Sequence, residues 1–291
     1  MNEKALGGRF PIEGGPSLVR MGYGAMQLAG PRVFGPPRDR SEAVAVLRAA
    51  VEAGVNHIDT ADFYGPHVTN EIIREALLPY GEDLHIVTKV GSVRDEEGGW
   101  PHARSPEQLR AQVESNLRTL GTDVLDVVNL RVGGGADGHS PVPGSLAEPF
   151  GALAEMRRAG KIRHLGVSVV DAEQIREARS IAPIVTVQNW YNVAHRGDEA
   201  IIAELYAAGI SYVPFWPLGG FSPLQSGVLD TVAARLGRSR QAVALAWLLQ
   251  RSPNVLLIPG TSGRAHLREN LDAASLELPD DAVADLDAIA G

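Results

Sequence analysis

Cysteine is absent from this 291-residue chain, which excludes disulfides, thiolate metal sites and thiol nucleophiles together. Lysine is nearly absent: only Lys4, Lys89 and Lys161 occur, so 24 of the 27 basic residues are arginines. A lysine kept inside an apolar strand of so arginine-biased a chain is a candidate for chemistry rather than for solubility. No run of about 18 uncharged apolar residues is present, so a membrane span is not expected. Met1-Asn2-Glu3-Lys4 lacks the basic-then-apolar layout of a secretory leader, and a cytoplasmic location is the expectation. Positive charge is in deficit. A formal net charge of -8 argues against nucleic acid as a partner, although one small anion in a locally basic pocket stays compatible with it. The Gly-x-Gly-x-x-Gly turn of a dinucleotide fold is missing, because Gly22-Tyr23-Gly24 is followed by Gln27 where the third glycine belongs. The triple glycine 133–135 lacks the Lys-Ser/Thr of a phosphate loop and reads as a flexible loop. The eight histidines show no ligand spacing, His57, His85 and His164 included, so no metal is expected.

What is present alternates. Short apolar runs of strand type lie near 18–22 and at 55–58, 84–90, 124–130, 162–167, 184–187, 210–214 and 255–258. Between them run helical patterns at 41–53, 68–78, 105–120, 146–159, 171–179, 199–208, 239–251 and 264–273, with a final helix at 281–290. Ser105-Pro106-Glu107 is a cap followed by proline at the first helical position. Strands apolar on both faces, each followed by a helix, indicate a parallel sheet covered by helices. Eight such units, and a 44% hydrophobic composition able to fill a large core, predict one α/β domain over residues 1–291, a closed (β/α)8 TIM barrel of the kind that takes about 250 residues. Chemistry then belongs at the C-terminal ends of the strands.

That rule turns a list of polar residues into a site. Asp59 ends the strand Val55-Asn56-His57-Ile58, and Tyr64 lies in the loop beyond it. Lys89 ends the next strand and Arg131 the one after. An acid, a phenol and two cations thus converge on one mouth. Each has a plainer reading beside it. Asp59 could be a helix cap or ion-pair partner, Tyr64 a packed loop aromatic, Lys89 a surface lysine, and Arg131 a structural salt bridge to Asp59 or another acid.

The segment 54–65 (GVNHIDTADFYG), followed by Asn70-Glu71, resembles the signature of the aldo-keto reductases. Further matches follow in order: Lys89, Gly166-Val167-Ser168, Gln188, Phe215-Trp216-Pro217-Leu218-Gly219, and Ile258-Pro259-Gly260 with Glu269-Asn270. The resemblance is to the bacterial subgroup that includes pyridoxal reductases, because Asn129-Leu130-Arg131 stands where the family usually has a His motif. It implies an NADPH-dependent reductase of an aldehyde or ketone, with a small-molecule carbonyl substrate. Tyr64 would be the general acid, Lys89 would tune it, and Asp59 would hold Lys89. The physics agrees: a phenol with a reference pKa near 10 donates poorly at neutral pH, and a nearby cation stabilises phenolate. Arg131 cannot exchange a proton near neutral pH. It could still bind the carbonyl oxygen, or clamp an acidic group of the substrate.

By the same resemblance Ser168 and Gln188 hold the nicotinamide amide and Phe215 stacks on its ring, though Phe215 could also be ordinary core. The family's Asn after that Ser is Val169 here. Gly24, Ala25, Met26 and Asp59, with Trp216, Pro217, Leu218 and Gly219, would line the rest of the nicotinamide half. Gly219, Gly220, Ser222 and Ser226 read as a hydrogen-bonding loop over the pyrophosphate. Gly260 and Thr261 before a helix make an anion site. Arg264 there could grip the 2′-phosphate and favour NADP(H) over NAD(H), or be a solvent-exposed arginine. Gly260 replaces the family's Lys and His266 its downstream Arg, which softens the preference. Glu269 and Asn270 would meet the adenine. Substrate selection is expected from Met26, Tyr64, Arg131, Trp190 and Trp216, with the loop 132–145; the two tryptophans could equally be packing. The short chain beyond the last helix predicts a comparatively open pocket, and a monomer is expected. Two other classes stay open: a Schiff-base lyase using Lys89 as nucleophile, and an NADPH-binding sensor with little turnover.

Overall fold

A computed structural model of the chain describes residues 6–134, 138–217, 219 and 226–289. Strands β1 (Arg9–Pro11) and β2 (Ser17–Val19) form an antiparallel hairpin. Seven parallel strands follow, hydrogen-bonded in chain order: β3 (Tyr23–Gly24), β4 (His57–Asp59), β5 (His85–Val90), β6 (Leu125–Arg131), β7 (Ile162–Ser168), β8 (Ile184–Trp190) and β9 (Ser211–Phe215). Segment 254–258 is the eighth stave. Its Leu256 amide donates to the Tyr212 carbonyl (2.9 Å) on one side, and Leu257 exchanges bonds with Arg20 and Gly22 (2.8 and 2.7 Å) on the other. Parallel bridges Tyr212–Val255 and Met21–Leu257 thereby close the ring. The closed barrel predicted from the alternation is the observed architecture.

The helices form the outer layer: α1 (Arg40–Glu52), α2 (Val68–Leu77), α3 (Pro106–Leu120), α4 (Ala147–Arg158), α5 (Ala172–Ile181), α6 (Glu199–Ala207), α7 (Gly227–Leu236), α8 (Arg240–Arg251), α9 (Arg264–Asp272) and α10 (Asp280–Asp287). Local chemistry sets their ends. Ser105 and Gln108 form a reciprocal capping box at α3, with Pro106 at the first position, and Gly121 ends the helix in a left-handed turn. Asp171 and Gln174 repeat the box at α5. Asp39, not Ser41, caps α1.

Two features depart from the sequence reading. The run near 18–22 is divided: 17–19 belongs to the hairpin, while the barrel stave begins at Met21 and continues into β3. Helix α7, absent from the helical patterns read in the sequence, begins where the glycine- and serine-rich loop ends. Ser226 caps α7, its hydroxyl oxygen accepting from the Leu229 amide. The masking signal was local: Ser226 and Gly227 look like loop residues until the apolar spacing of Leu229, Val232 and Ala233 is weighed.

Strand alternation positions the site. On β6, Val128 and Leu130 face the helices and join the outer core, while Val127, Asn129 and Arg131 alternate to the opposite, inner face. The same step carries β4 from His57 to Asp59, β5 from Val87 to Lys89 and β9 from Val213 to Phe215. Each inner file therefore climbs from the lower barrel to the reactive rim. The floor is a cluster of Val87, Val127, Val185, Val213 and Leu256, closed from below by Phe10, Ile12 and Leu18 of the hairpin. Each such side chain contributes about 1.5–3 kcal/mol when fully buried.

Candidate active site

Lys89 reaches from β5 to Asp59 on β4, Nζ to Oδ1 2.6 Å, and donates also to the Thr60 carbonyl at 3.0 Å. The two side chains are 5% and 6% exposed, so this ion pair is shielded from water. The second oxygen of Asp59 accepts from Gln188 Nε2 on β8 at 2.9 Å. Burial by itself lowers the pKa of Lys89; the charge of Asp59 and the phenol of Tyr64 outweigh it and hold the ammonium above its ordinary value. The ammonium lies 5.2 Å from the centre of the Tyr64 ring. Phe63 and Trp100 pack edge-on against that ring at 5.4 and 5.9 Å, which fixes its plane. Behind the rim, Thr60 and Thr88 donate to Asn70 and Asn116 (2.9 and 2.6 Å), and Asn70 donates to Asn116 (3.1 Å). This buried net ties the backbone beneath Lys89 to α2 and α3.

Among the described residues Arg131 has no acid within ion-pair distance; Asp137, in the loop beyond its strand, lies outside them. Its Nη2 donates to the Gly138 carbonyl at 2.8 Å. Burial lowers its pKa and the Tyr64 phenol opposes that shift.

These groups open onto a cavity of about 600 Å³. Of the residues singled out in the sequence, Gly24, Met26, Asp59, Tyr64, Lys89, Arg131, Gln188, Phe215, Trp216, Pro217 and Gly260 line it together. Ala25 is fully buried and does not. Trp190 stands behind the lining, stacked on His195 at 3.9 Å and edge-on to Trp216 at 6.3 Å. Trp100 and His102 line the cavity and had not been singled out; His139 lines it from within the loop 132–145 expected to select substrate. Their signal was position: Trp100 and His102 follow the strand of Lys89, and His139 follows that of Arg131. His139 packs on Trp216, ring centres 3.8 Å apart.

The residues assigned to a cofactor by resemblance are more dispersed. Ser168 pairs in register with Gln188; its hydroxyl is buried without a hydrogen-bond partner. Val169 has φ 58° and Trp216 φ 54°, the left-handed region that costs an L side chain about 1–2 kcal/mol. Val169 fits against Gly133, where a Cβ would come within 2.1 Å of it. Gly24 and Gly260 let two backbones meet at the rim: a Cβ on Gly24 would lie 2.4 Å from the Ile258 carbonyl oxygen. Tyr23 donates its hydroxyl to the Thr261 carbonyl. Gly219 and Thr261 lie beyond the cavity lining, and Leu218 falls outside the described residues. On α9, His266 and Glu269 are exposed, Asn270 is buried, and Arg264 is held by Glu42 of α1. Glu42 accepts from the Arg264 amide at 3.1 Å and Nε at 3.2 Å, and pairs with its Nη2 at 3.0 Å. Among the described residues no cluster of three metal-ligating side chains occurs, and no helix is long and apolar enough to cross a membrane.

A closed parallel barrel whose buried ionic and phenolic groups gather at the C-terminal rim defines a barrel enzyme. The chain belongs to the aldo/keto reductase family, whose sequence profile, described as Aldo/keto reductase family, matches residues 20–290, and it is therefore an oxidoreductase. It is 61% identical over 276 residues to the pyridoxine 4-dehydrogenase of Escherichia coli (strain K12), covering 95% of this chain and 96% of that one. It is 39% identical over 270 residues to an uncharacterized oxidoreductase of Schizosaccharomyces pombe, covering 92% and 85%. Among solved structures, a thermostable aldo-keto reductase in complex with the inhibitor epalrestat superposes with a TM-score of 0.80 at 31% identity, over 97% of this chain and 99% of that one. The Klebsiella pneumoniae aldo/keto reductase in complex with NADP and acetate gives 0.75 at 26%, over 94% and 91%.

Proposed function

We propose that the chain is an NADPH-dependent reductase of an aldehyde of the pyridoxal type, running in reverse on the corresponding alcohol. The observation that carries this reading is the buried Lys89 ammonium, held by Asp59 beside the Tyr64 phenol at the head of a ligand-sized cavity. The name of the Escherichia coli relative supports the substrate class, and the NADP in the Klebsiella pneumoniae structure supports the cofactor.

The cofactor fits the residues present. A nicotinamide carboxamide needs a donor and an acceptor. The unpartnered Ser168 hydroxyl and the Oε1 of Gln188, whose Nε2 is taken by Asp59, supply both. When bound, the reduced nicotinamide supplies hydride to the carbonyl carbon. Tyr64 then gives its hydroxyl proton to the carbonyl oxygen, which leaves as the alcohol. Lys89 stabilises the negative charge left on Tyr64, and Asp59 keeps Lys89 charged and in place. Gly24, Met26, Phe215, Trp216 and Pro217 shape the nicotinamide side, with Ala25 packed beneath. Gly219, Gly260, Thr261, Arg264, His266, Glu269 and Asn270 follow towards the adenosine. Arg264 must leave Glu42 to grip a 2′-phosphate.

The Schiff-base lyase is the weaker reading, because an amine paired with Asp59 and held in its ammonium form is a poor nucleophile. Tyr64→Phe is the deciding variant. Reduction of an aromatic aldehyde should fall by about 10²–10⁴-fold, the range of general acid catalysis, with NADPH binding retained. Undiminished turnover in Tyr64→Phe would remove the mechanism.

A further inference from the structure

The cavity contains a charge that no carboxylate among the described residues balances. Asp59 neutralises Lys89, and no other described carboxylate lines the space. Arg131, at the end of β6, bonds only to the Gly138 carbonyl among the described residues, which uses one of its five donors. A desolvated cation without a counterion is costly unless a ligand supplies the anion. The guanidinium and Tyr64 line the same cavity, and the phenol opposes the lowering of the Arg131 pKa by burial. His102 lines the same cavity, and burial with the charges of Arg104 and Arg131 lowers its pKa, which keeps the ring neutral; Arg104 Nη1 is tied to the Val132 carbonyl at 2.7 Å. The lining is aromatic: Phe63, Tyr64 and Trp100 meet edge to face, and His139 packs at a tilt on Trp216. Such a lining suits a flat ring.

We propose that Arg131, assisted by His102, forms an anion subsite for a second substrate oxygen, selecting aromatic aldehydes with an ionised oxygen on the ring carbon next to the one bearing the carbonyl. Tyr64 takes the carbonyl oxygen and Arg131 lines the same cavity, so a second oxygen on the neighbouring ring carbon stays nearest to both. The inference rests on the reductase reading of the same cavity and adds to it what the substrate must carry.

The test compares kcat/KM for 2-hydroxybenzaldehyde, 2-methoxybenzaldehyde and 4-hydroxybenzaldehyde with NADPH, at a mildly alkaline pH where the hydroxyls ionise. The wild-type protein should prefer the 2-hydroxy compound over the 2-methoxy one by about tenfold or more, the worth of one charge-assisted hydrogen bond. Arg131→Gln should erase that ratio, Arg131→Lys should keep part of it, and His102→Gln should reduce it. 2-Nitrophenolate, with its oxyanion beside a carbonyl-like nitro group, serves as an unreactive probe: its inhibition constant should rise about tenfold in Arg131→Gln. An equal loss on all three aldehydes in Arg131→Gln would show that Arg131 serves the carbonyl oxygen alone, and the subsite is then overturned. Absence of the preference in the wild-type protein overturns it too. If the wild type reduces no aldehyde, the functional reading fails instead. 2-Nitrophenolate binding measured by tryptophan fluorescence then decides the subsite by itself: binding lost in Arg131→Gln supports it, and binding unchanged overturns it.

Discussion

Removing Lys89 from its pair with Asp59 should damage the fold and the chemistry separately, and the two can be told apart. In Lys89→Met the Asp59 carboxylate stays buried with only the 2.9 Å bond from Gln188 to satisfy it. Breaking a shielded pair from one side costs about 3–5 kcal/mol, because the remaining charge has lost both water and partner. Asp59→Asn should cost a similar amount, since the ammonium keeps the Thr60 carbonyl at 3.0 Å but loses its counterion. The double variant Asp59→Asn/Lys89→Met leaves no stranded charge, so it should lose far less than the two singles together, with a coupling of about 3 kcal/mol. Urea unfolding of the four proteins gives the cycle, and NADPH oxidation with an aromatic aldehyde gives activity. All three variants should turn over about 10²–10⁴-fold more slowly, including the restabilised double. The pH range matters. Lys89 is held above its ordinary 10.5, so the pair stabilises the fold fully below that pH and is lost only as pH rises beyond it; neutral pH is the right condition. Additivity of the two singles within about 0.5 kcal/mol would refute the argument, as would a double variant that recovered turnover.

Two further outcomes are expected. His57 is buried, and that burial, with His85 nearby, lowers its pKa from 6.5 to about 4. Unfolded chain takes up the proton first, so stability is intact above pH 6.5 and erodes as pH falls towards 4, by up to about 3 kcal/mol. Urea midpoints at pH 7.5 and 4.5 should diverge for the wild type and much less for His57→Gln; parallel losses would contradict the assignment. Arg264→Glu should weaken NADPH binding by about tenfold or more and NADH binding much less, read by fluorescence titration, since a charged contact to phosphate is worth about 1.5–3 kcal/mol. Equal effects on both would show that Arg264 does not meet the 2′-phosphate.

The barrel was legible because its strands carry two independent patterns at once. On β6, apolar Val128 and Leu130 face the helices while Val127, Asn129 and Arg131 face inward, so the apolar run and the polar rim residue are read from the same seven residues. The Asp59, Lys89 and Tyr64 grouping was legible for the same reason: strand ends are the places where alternation delivers a side chain into the mouth. Residues set by loop conformation were not. Nothing in the spacing announces that Trp100 packs on Tyr64, that His139 lies on Trp216, or that Trp216 takes a left-handed backbone. Arg264 shows the limit in another way: its position was readable, its present partner Glu42 was not, because that pairing joins residues 222 apart on two helices.

The hairpin at the base has a consequence for how the molecule can be handled. Phe10, Ile12 and Leu18 act as a stopper, and a chain trimmed past them would open a hydrophobic shaft leading up to Lys89. Water entering by that route would weaken the buried ion pair from beneath without touching a single rim residue. Fusion partners or truncations placed at this end therefore reach the chemistry through the plumbing of the barrel rather than through its entrance.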